Sequence, residues 1–283
     1  MKTEWDLSHL EKDGSFEEKR KEREEAINEF VSKWKNNNGY LENPEVLKEA
    51  LEGYEKLSET SLDEEYYYWL KSQIDQSDPE IKARLNKIEE FSKDLGNKIS
   101  FFTISLSKIP MEKQRVFLKF PGLKHYWHFL ERIFKMAKHI LSQKEEEMMN
   151  LMSSVAYSNW EKMTSEFLSK EGREVLDEDG KLIKATKEKI ISLFQSKNKE
   201  VRDKAAKEFN DILKKHVDVA EAELNSILEY KKINDKLRNY ERADSSVHLH
   251  DDIRTVVVDE LTKTVTNRFD ISKRFYKLKA NLL

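Results

Sequence analysis

The apolar residues of this chain recur three and four positions apart, separated by charged runs, which is the spacing of amphipathic helices. Ala26, Ile27, Phe30, Val31 and Trp34 share one helical face. Ahead of them, Ser15 and Glu18 have the spacing of a capping box, in which two side chains satisfy free N–H groups of the first turn. The run Asn36 to Gly39 stops this helix. Asn43 followed by Pro44 starts the next, because proline at the first helical position gives up an N–H that has no partner there. Its stripe is Leu47, Ala50, Leu51, Tyr54 and Leu57. Ser61 and Glu64 form a second box before EEYYYWL. Tyr66, Tyr67, Tyr68 and Trp69 cover too wide an arc for one stripe, so a helix buried on two sides is expected, with an aromatic binding wall as the alternative.

Asp78-Pro79 opens a longer helix carrying Ile81, Leu85, Ile88, Phe91, Leu95 and Ile99. Pro110 and Pro121-Gly122 are breaks, and 123–141 reads as helix again, with Trp127, Leu130, Phe134, Ala137 and Leu141. Ser142 with Glu145, and Ser158 with Glu161, cap two further helices. The spacing predicts one long helix over 199–230, a polar connection RNYERADSSVHLHDD, and helices over 253–265 and 271–283. Residues 173–186 depart from this pattern. They read as two short strands around Asp179-Gly180, with positive φ expected at both turn positions. An isolated hairpin is marginal, so it must lean on the helices or on something beyond the chain. No 20–50-residue repeat and no sustained heptads are present. The expected fold is therefore all-α, a multi-helix lobe with one small β-hairpin near 173–184 and a sub-boundary near 110–122.

Composition narrows the picture. Aromatic content of 10% argues for a folded chain although 37% of the 283 residues are charged and mean hydropathy is -0.80. Seven Gly and four Pro suit long helices with few turns. Without cysteine there is no disulfide, thiolate metal site or cysteine nucleophile, which fits a reducing cytosol. The polar start MKTEWDLSHLEKD has no signal-peptide core, and no stretch approaches the ~18 apolar residues of a membrane span. A net charge of -3 lacks the basic excess of a duplex binder, so neither nucleic acid nor membrane is expected as a partner, and a cytoplasmic location is.

No two of the seven glycines lie within five residues of each other, which removes the dinucleotide fingerprint, the P-loop and the GxSxG elbow. A helical zinc-hydrolase motif needs two histidines at i and i+4 with a glutamate beside the first. No pair among His9, His125, His128, His139, His216, His248 and His250 has that spacing. His125, His128 and Glu131 could share a helical face, and His248, His250, Asp251 and Asp252 cluster before a helix. The plainer readings are partial-core and surface histidines for the first set, and an Asp helix cap for the second. EKRKEREE and QKEEEMM read as solvated helix faces. No catalytic, cofactor-binding or metal-ligating residue is assigned.

WDLSHL at Trp5 to Leu10 resembles the opening of the oligoendopeptidase F family, relatives of thimet oligopeptidase. HYWHFLERIFKMAKHILSQKEEEMM, a helix with Trp160, the hairpin REVLDEDGKLIKAT, EVRDKAAKEFNDIL and the close VVVDELTKTVTNRFDISKRFYKLKANLL then follow in the family's order. The resemblance implies the N-terminal half of a cytosolic zinc metallopeptidase that cleaves short peptides in a channel between two mostly helical lobes. Its zinc motif, HExxH with a further Glu, belongs to the C-terminal half and has no counterpart here. On that reading residues 1–283 are a non-catalytic lobe, inactive alone, walling the channel. The implied partners are the catalytic half, which would carry the zinc, and, in the intact enzyme, short peptides. The close at Leu282-Leu283, inside an apolar-periodic stretch, suggests a truncated gene, a split frame or an isolated domain, with self-association through the C-terminal helices as an outlet for that stripe. The alternative is a standalone helical scaffold or interaction protein without metal or catalysis.

Overall fold

A computed structural model describes residues 5–11, 16–60, 63–76 and 78–282. The caps expected at Ser15 and Ser61 lie outside the described residues. The first group of helices is α1 (Phe16–Trp34), α2 (Pro44–Glu59), α3 (Asp63–Ile74) and α4 (Pro79–Ser107). Asn43 starts α2 as expected, its Oδ1 accepting from the N–H groups of Glu45 at 2.8 Å and Val46 at 3.4 Å. Asp78 does the same for α4, accepting from Glu80 and Ile81. The two Asx-Pro signals act alike because a short side-chain oxygen fits the same two orphan donors.

α4 is the spine, packing against α1, α3, α6 (Trp127–Met136) and α7 (Gln143–Ser153). Its second half is buried almost all round, at Phe101, Phe102, Ile104, Leu106 and Ser107. Fully buried Phe102 has ring centroids 5.2 Å from Phe30, 5.2 Å from Tyr40 and 5.0 Å from Tyr54. The first core runs from Ile27 on α1 to Ile133 on α6. α3 differs from expectation, because Tyr67 is buried while Tyr66 and Trp69 are 60% and 51% exposed. Phe16 of α1 and the spine α4 cover Tyr67, while the face carrying Tyr66 and Trp69 stays in water.

The charged run on α1 is not simply a solvated face. Arg20 forks onto Glu64 at 3.0 and 3.1 Å, and Arg84 of α4 reaches the same carboxylate at 2.5 Å. Glu64 thus ties three helices together, a role that local spacing could not show.

After α5 (Met111–Lys119) the chain makes a 3-10 turn over Pro121–Tyr126, then α6, then a 3-10 turn over Ala137–His139. The continuous helix expected over 123–141 is divided in this way. Gly122 permits the tight entry, since a Cβ there would lie 2.5 Å from the Phe120 ring. Ser142 and Glu145 form a complete capping box on α7. The cap expected at Ser158 is absent. Ser158 has helical dihedrals (φ -62, ψ -36), and α7 continues through a π turn at Ser154–Ser158 into α8 (Asn159–Ser169). An added residue in the helical ladder is absorbed as a wider turn instead of a break.

Strands β1 (Gly172–Leu176) and β2 (Leu182–Thr186) pair antiparallel, Gly172 opposite Thr186 and Leu176 opposite Leu182. The turn differs from the two-residue form expected. Only Gly180 has positive φ, at 78°. Gly180 N–H donates to the Asp177 carbonyl at 3.0 Å, and Asp177 N–H to the Lys181 carbonyl at 2.8 Å. Glu178, Asp179 and Gly180 therefore form a three-residue loop closed by glycine in the left-handed region. The hairpin leans on a second core, where Val175 and Ala185 meet Ile190 of α9 (Lys187–Ser192) and Val201, Ala205 and Ile212 of α10 (Lys199–Lys215).

The single helix expected over 199–230 breaks at His216 (φ -109, ψ 12), between α10 and α11 (Val217–Leu237). His216 Nε2 lies 2.6 Å from a Glu171 carboxylate oxygen, which draws the residue out of helical register. Asn239, at φ 57, follows α11, and the supposed polar connection contains α12 (Ser245–His250). The chain then forms α13 (Thr255–Asn267) and α14 (Phe269–Leu282). The fold is all-α with one small hairpin, as expected. Among the described residues no helix is long and apolar enough to cross a membrane.

Candidate functional site

The histidines singled out above lead to different partners. His125 Nε2 lies 3.5 Å from Glu55, while His128 Nε2 lies 2.8 Å from Asp252. His248 is 8% exposed, with Nδ1 3.1 Å from the Thr255 hydroxyl. The Asp cap expected for α13 does not form. Arg254 holds the N-cap position without a side-chain hydrogen bond, while Asp252 adopts φ 55 and turns to His128. Among the described residues no three His, Cys, Asp or Glu side chains converge as metal ligands would. The zinc that the family resemblance implies therefore does not fit these residues.

The surface most unlike that of a self-sufficient domain is the arm formed by α13 and α14. Val257, Leu261 and Val265, then Phe269, Ile271, Phe275, Leu278 and Leu282, lie on helical stripes of the kind that bury against a partner. Every one of them is exposed, Leu261 at 62% and Leu282 at 75%. Neither helix has a buried residue. Large contiguous apolar patches on soluble domains mark interaction sites.

The arm is moored at its root by polar contacts. Arg242 forks onto Asp259 of α13 at 2.9 and 3.0 Å, and also holds Asp244. Those two hydrogen bonds lower the pKa of both carboxylates. Arg132 of α6 donates to the His250 carbonyl at 2.7 Å. The arm's stripes were legible in the sequence. Its mooring residues were not, because they lie up to 118 positions apart.

Beside the root lies a cavity of about 620 Å³, lined among others by Lys135, Lys138, His139, Tyr240, His248 and Arg254. His139 Nδ1 lies 2.7 Å from the Arg238 carbonyl, and its ring stacks on Tyr240 with centroids 3.9 Å apart. Arg238 makes two hydrogen bonds to Glu146 of α7, which fixes the wall. Glu146 thereby leaves the solvated face expected for QKEEEMM. Burial opposes its ionisation, but the hydrogen bonds from Arg238 and from the Leu141 N–H outweigh it and lower its pKa.

Comparison with known proteins adds sequence and fold relationships. A family model described as Oligopeptidase F, for the N-terminal region of such peptidases, matches residues 106–170. A plasmid oligoendopeptidase F of Lactococcus lactis subsp. cremoris is 25% identical over 226 residues, covering 78% of this chain and 37% of that protein. Oligopeptidase PepF of Bacillus subtilis is 23% identical over 264 residues, covering 92% of this chain and 39% of the relative. The chain thus spans well under half the length of these relatives. The crystal structure of oligoendopeptidase-F from Enterococcus faecium superposes with a TM-score of 0.81 at 18% identity, covering 95% of this chain and 51% of that one. The last match speaks for the fold, and the sequence matches carry the similarity further: this chain is similar to the N-terminal region of oligoendopeptidase F proteins.

Proposed function

We propose that residues 1–283 act as the non-catalytic helical lobe of a zinc-dependent oligopeptidase, forming one wall of a channel that admits short peptides and excludes folded chains. The catalytic region, supplied outside these residues, carries the zinc and the hydrolytic step. This chain contributes shape: a rigid helical wall around the spine α4 and an apolar arm that packs against the catalytic region. The observation that carries the reading is that arm. α13 and α14 have helical stripes suited to burial and no buried residue. That the family relatives are more than twice as long supplies a partner of the right kind. A cytoplasmic setting suits such an enzyme.

The test combines three measurements on the purified chain. The expected results are no stoichiometric zinc after mild dialysis, no cleavage of a quenched fluorescent peptide, and fast amide exchange over 255–282 in a dilute monomer. One tightly held zinc with chelator-sensitive cleavage would overturn the reading. Strong protection of the arm in a strict monomer would do so too, by showing that the arm needs no partner.

A further inference from the structure

We infer that the outer face of α7 is a ledge for the apolar side chains of a short peptide whose free amino end enters the hollow beside it. Met148, Leu151, Met152 and Val155 stand at i, i+3, i+4 and i+7, the spacing by which a helix gathers apolar residues for burial. Here that arrangement is turned inside out. All four are more than half exposed, and no residue of α7, of the π turn or of α8 is buried. The inward face is polar instead. Glu146 is held by Arg238, and Asn150 Nδ2 donates to Asn97 Oδ1 at 2.7 Å. The Lys93 ammonium of α4 donates to the hydroxyls of Ser153, at 3.2 Å, and Ser154. These contacts fix the rotation of the helix, so the stripe cannot turn inward. Contiguous apolar surface of this kind marks a place where something binds.

The size and surroundings of the ledge choose its occupant. From Met148 to Val155 it runs about 10 Å along the helix axis, the length of about three extended residues. Four side chains fall far short of the roughly 20–30 residues a side of a stable protein interface, but they suffice for a short peptide. Methionine suits a surface that meets varied side chains, because its unbranched thioether adapts to different shapes. Leu151 also lines a hollow of about 380 Å³, whose charged groups are Glu89, Glu90 and Asp94 against Lys93 and Lys162. Lys162 is already engaged by Glu89 at 2.7 Å, and Lys93 by the two serines. The acidic excess suits the ammonium of a peptide's amino end, set next to apolar side chains on the ledge. The choice of a peptide rests on the proposed peptidase role, whereas the ledge itself is read from α7.

The full chain, with carbon-13 in its methionine methyl groups, is titrated with three probes: leucyl-phenylalanyl-leucinamide, its N-acetylated form, and seryl-seryl-serinamide. Saturable shifts of the Met148 and Met152 methyls with the first peptide are expected, while Met111, exposed on α5, stays unmoved. The arm carries no methionine, so peptide held there leaves these signals alone. Acetylation should weaken binding about two- to fivefold, the scale of an ion pair in solvent. The serine peptide should not bind. The double variant Leu151→Ser/Val155→Ser should bind the first peptide about tenfold or more weakly, through lost apolar contact. Both residues are exposed, so the variant should keep its helical circular dichroism. No saturable shift at Met148 and Met152, an equal shift at Met111, equal affinity for the acetylated or the serine peptide, or equal affinity of the double variant would overturn the proposal. The peptidase role fails separately, on bound zinc with cleavage or on a protected arm.

Discussion

The Arg238 guanidinium meets the Glu146 carboxylate in two parallel hydrogen bonds, Nη1–Oε1 at 2.6 Å and Nη2–Oε2 at 2.8 Å. Both side chains are about one-fifth exposed, and Arg238 also donates to the His139 carbonyl. The pair clamps the end of α11 to α7 and orders the carbonyl that holds His139. Arg238→Ala leaves a half-buried carboxylate facing empty space and should cost about 2–3 kcal/mol. Urea unfolding measures it, and a double-mutant cycle with Glu146→Gln isolates the coupling. A single-variant loss below about 0.5 kcal/mol would show that solvent screens the pair.

Phe102 is the hub of the first core, ringed by Phe30, Tyr40 and Tyr54. Phe102→Ala should destabilise by about 3–5 kcal/mol, since three fixed rings cannot collapse into the space. The denaturant midpoint should fall with little change in its slope.

In the hairpin the strain sits on one residue. Gly180 holds φ 78, whereas Asp179 has no positive φ. Gly180→Val should therefore cost about 1–2 kcal/mol for a side chain in the left-handed region. Asp179→Val should stay within about 0.5 kcal/mol. Equal thermal shifts for the two variants would contradict this turn geometry.

Glu171 is 6% exposed and accepts from Lys215 at 2.6 Å, with His216 at 2.6 Å and Arg173 at 2.5 Å also on its carboxylate. Hydrogen bonding from Lys215 leads the causes that pull its pKa from 4.5 to about 2, against the opposing effect of burial. Because the folded value lies below the unfolded one, its stabilisation is fully present above about pH 4.5 and drains away as pH falls towards 2. Glu171→Gln should be less stable than the parent at pH 6, and the gap should narrow between pH 4.5 and pH 2. A constant gap in melting temperature would place the stabilisation elsewhere.

The arm should associate with itself when no other partner is present. Leu261→Asp/Phe275→Asp should sediment as monomer at concentrations where the parent associates, with the unfolding midpoint of the body nearly unchanged, because both residues are exposed. A large loss of stability would show that the arm is part of the body's core.

Local chemistry was legible in the sequence. Asn43-Pro44, Asp78-Pro79 and the Ser142–Glu145 box act within three or four residues, and so do the stripes of α1, α2 and α4, so spacing alone locates them. The missing i, i+4 histidine pair is equally local. Other features were decided only by tertiary structure, because they join residues far apart in the chain. Glu171 draws His216 out of a helix that the spacing would continue. Arg238 turns Glu146 from a surface residue into a clamp across 92 positions. His139, Tyr240 and Arg254 come from separate segments, and only folding brings them around one cavity. The apolar stripes of α13 and α14 were written in the sequence, and the family resemblance suggested that they lack a partner in this chain, but their exposure is a tertiary fact. Periodicity records which face a helix would bury, while burial itself depends on what the rest of the chain places beside it.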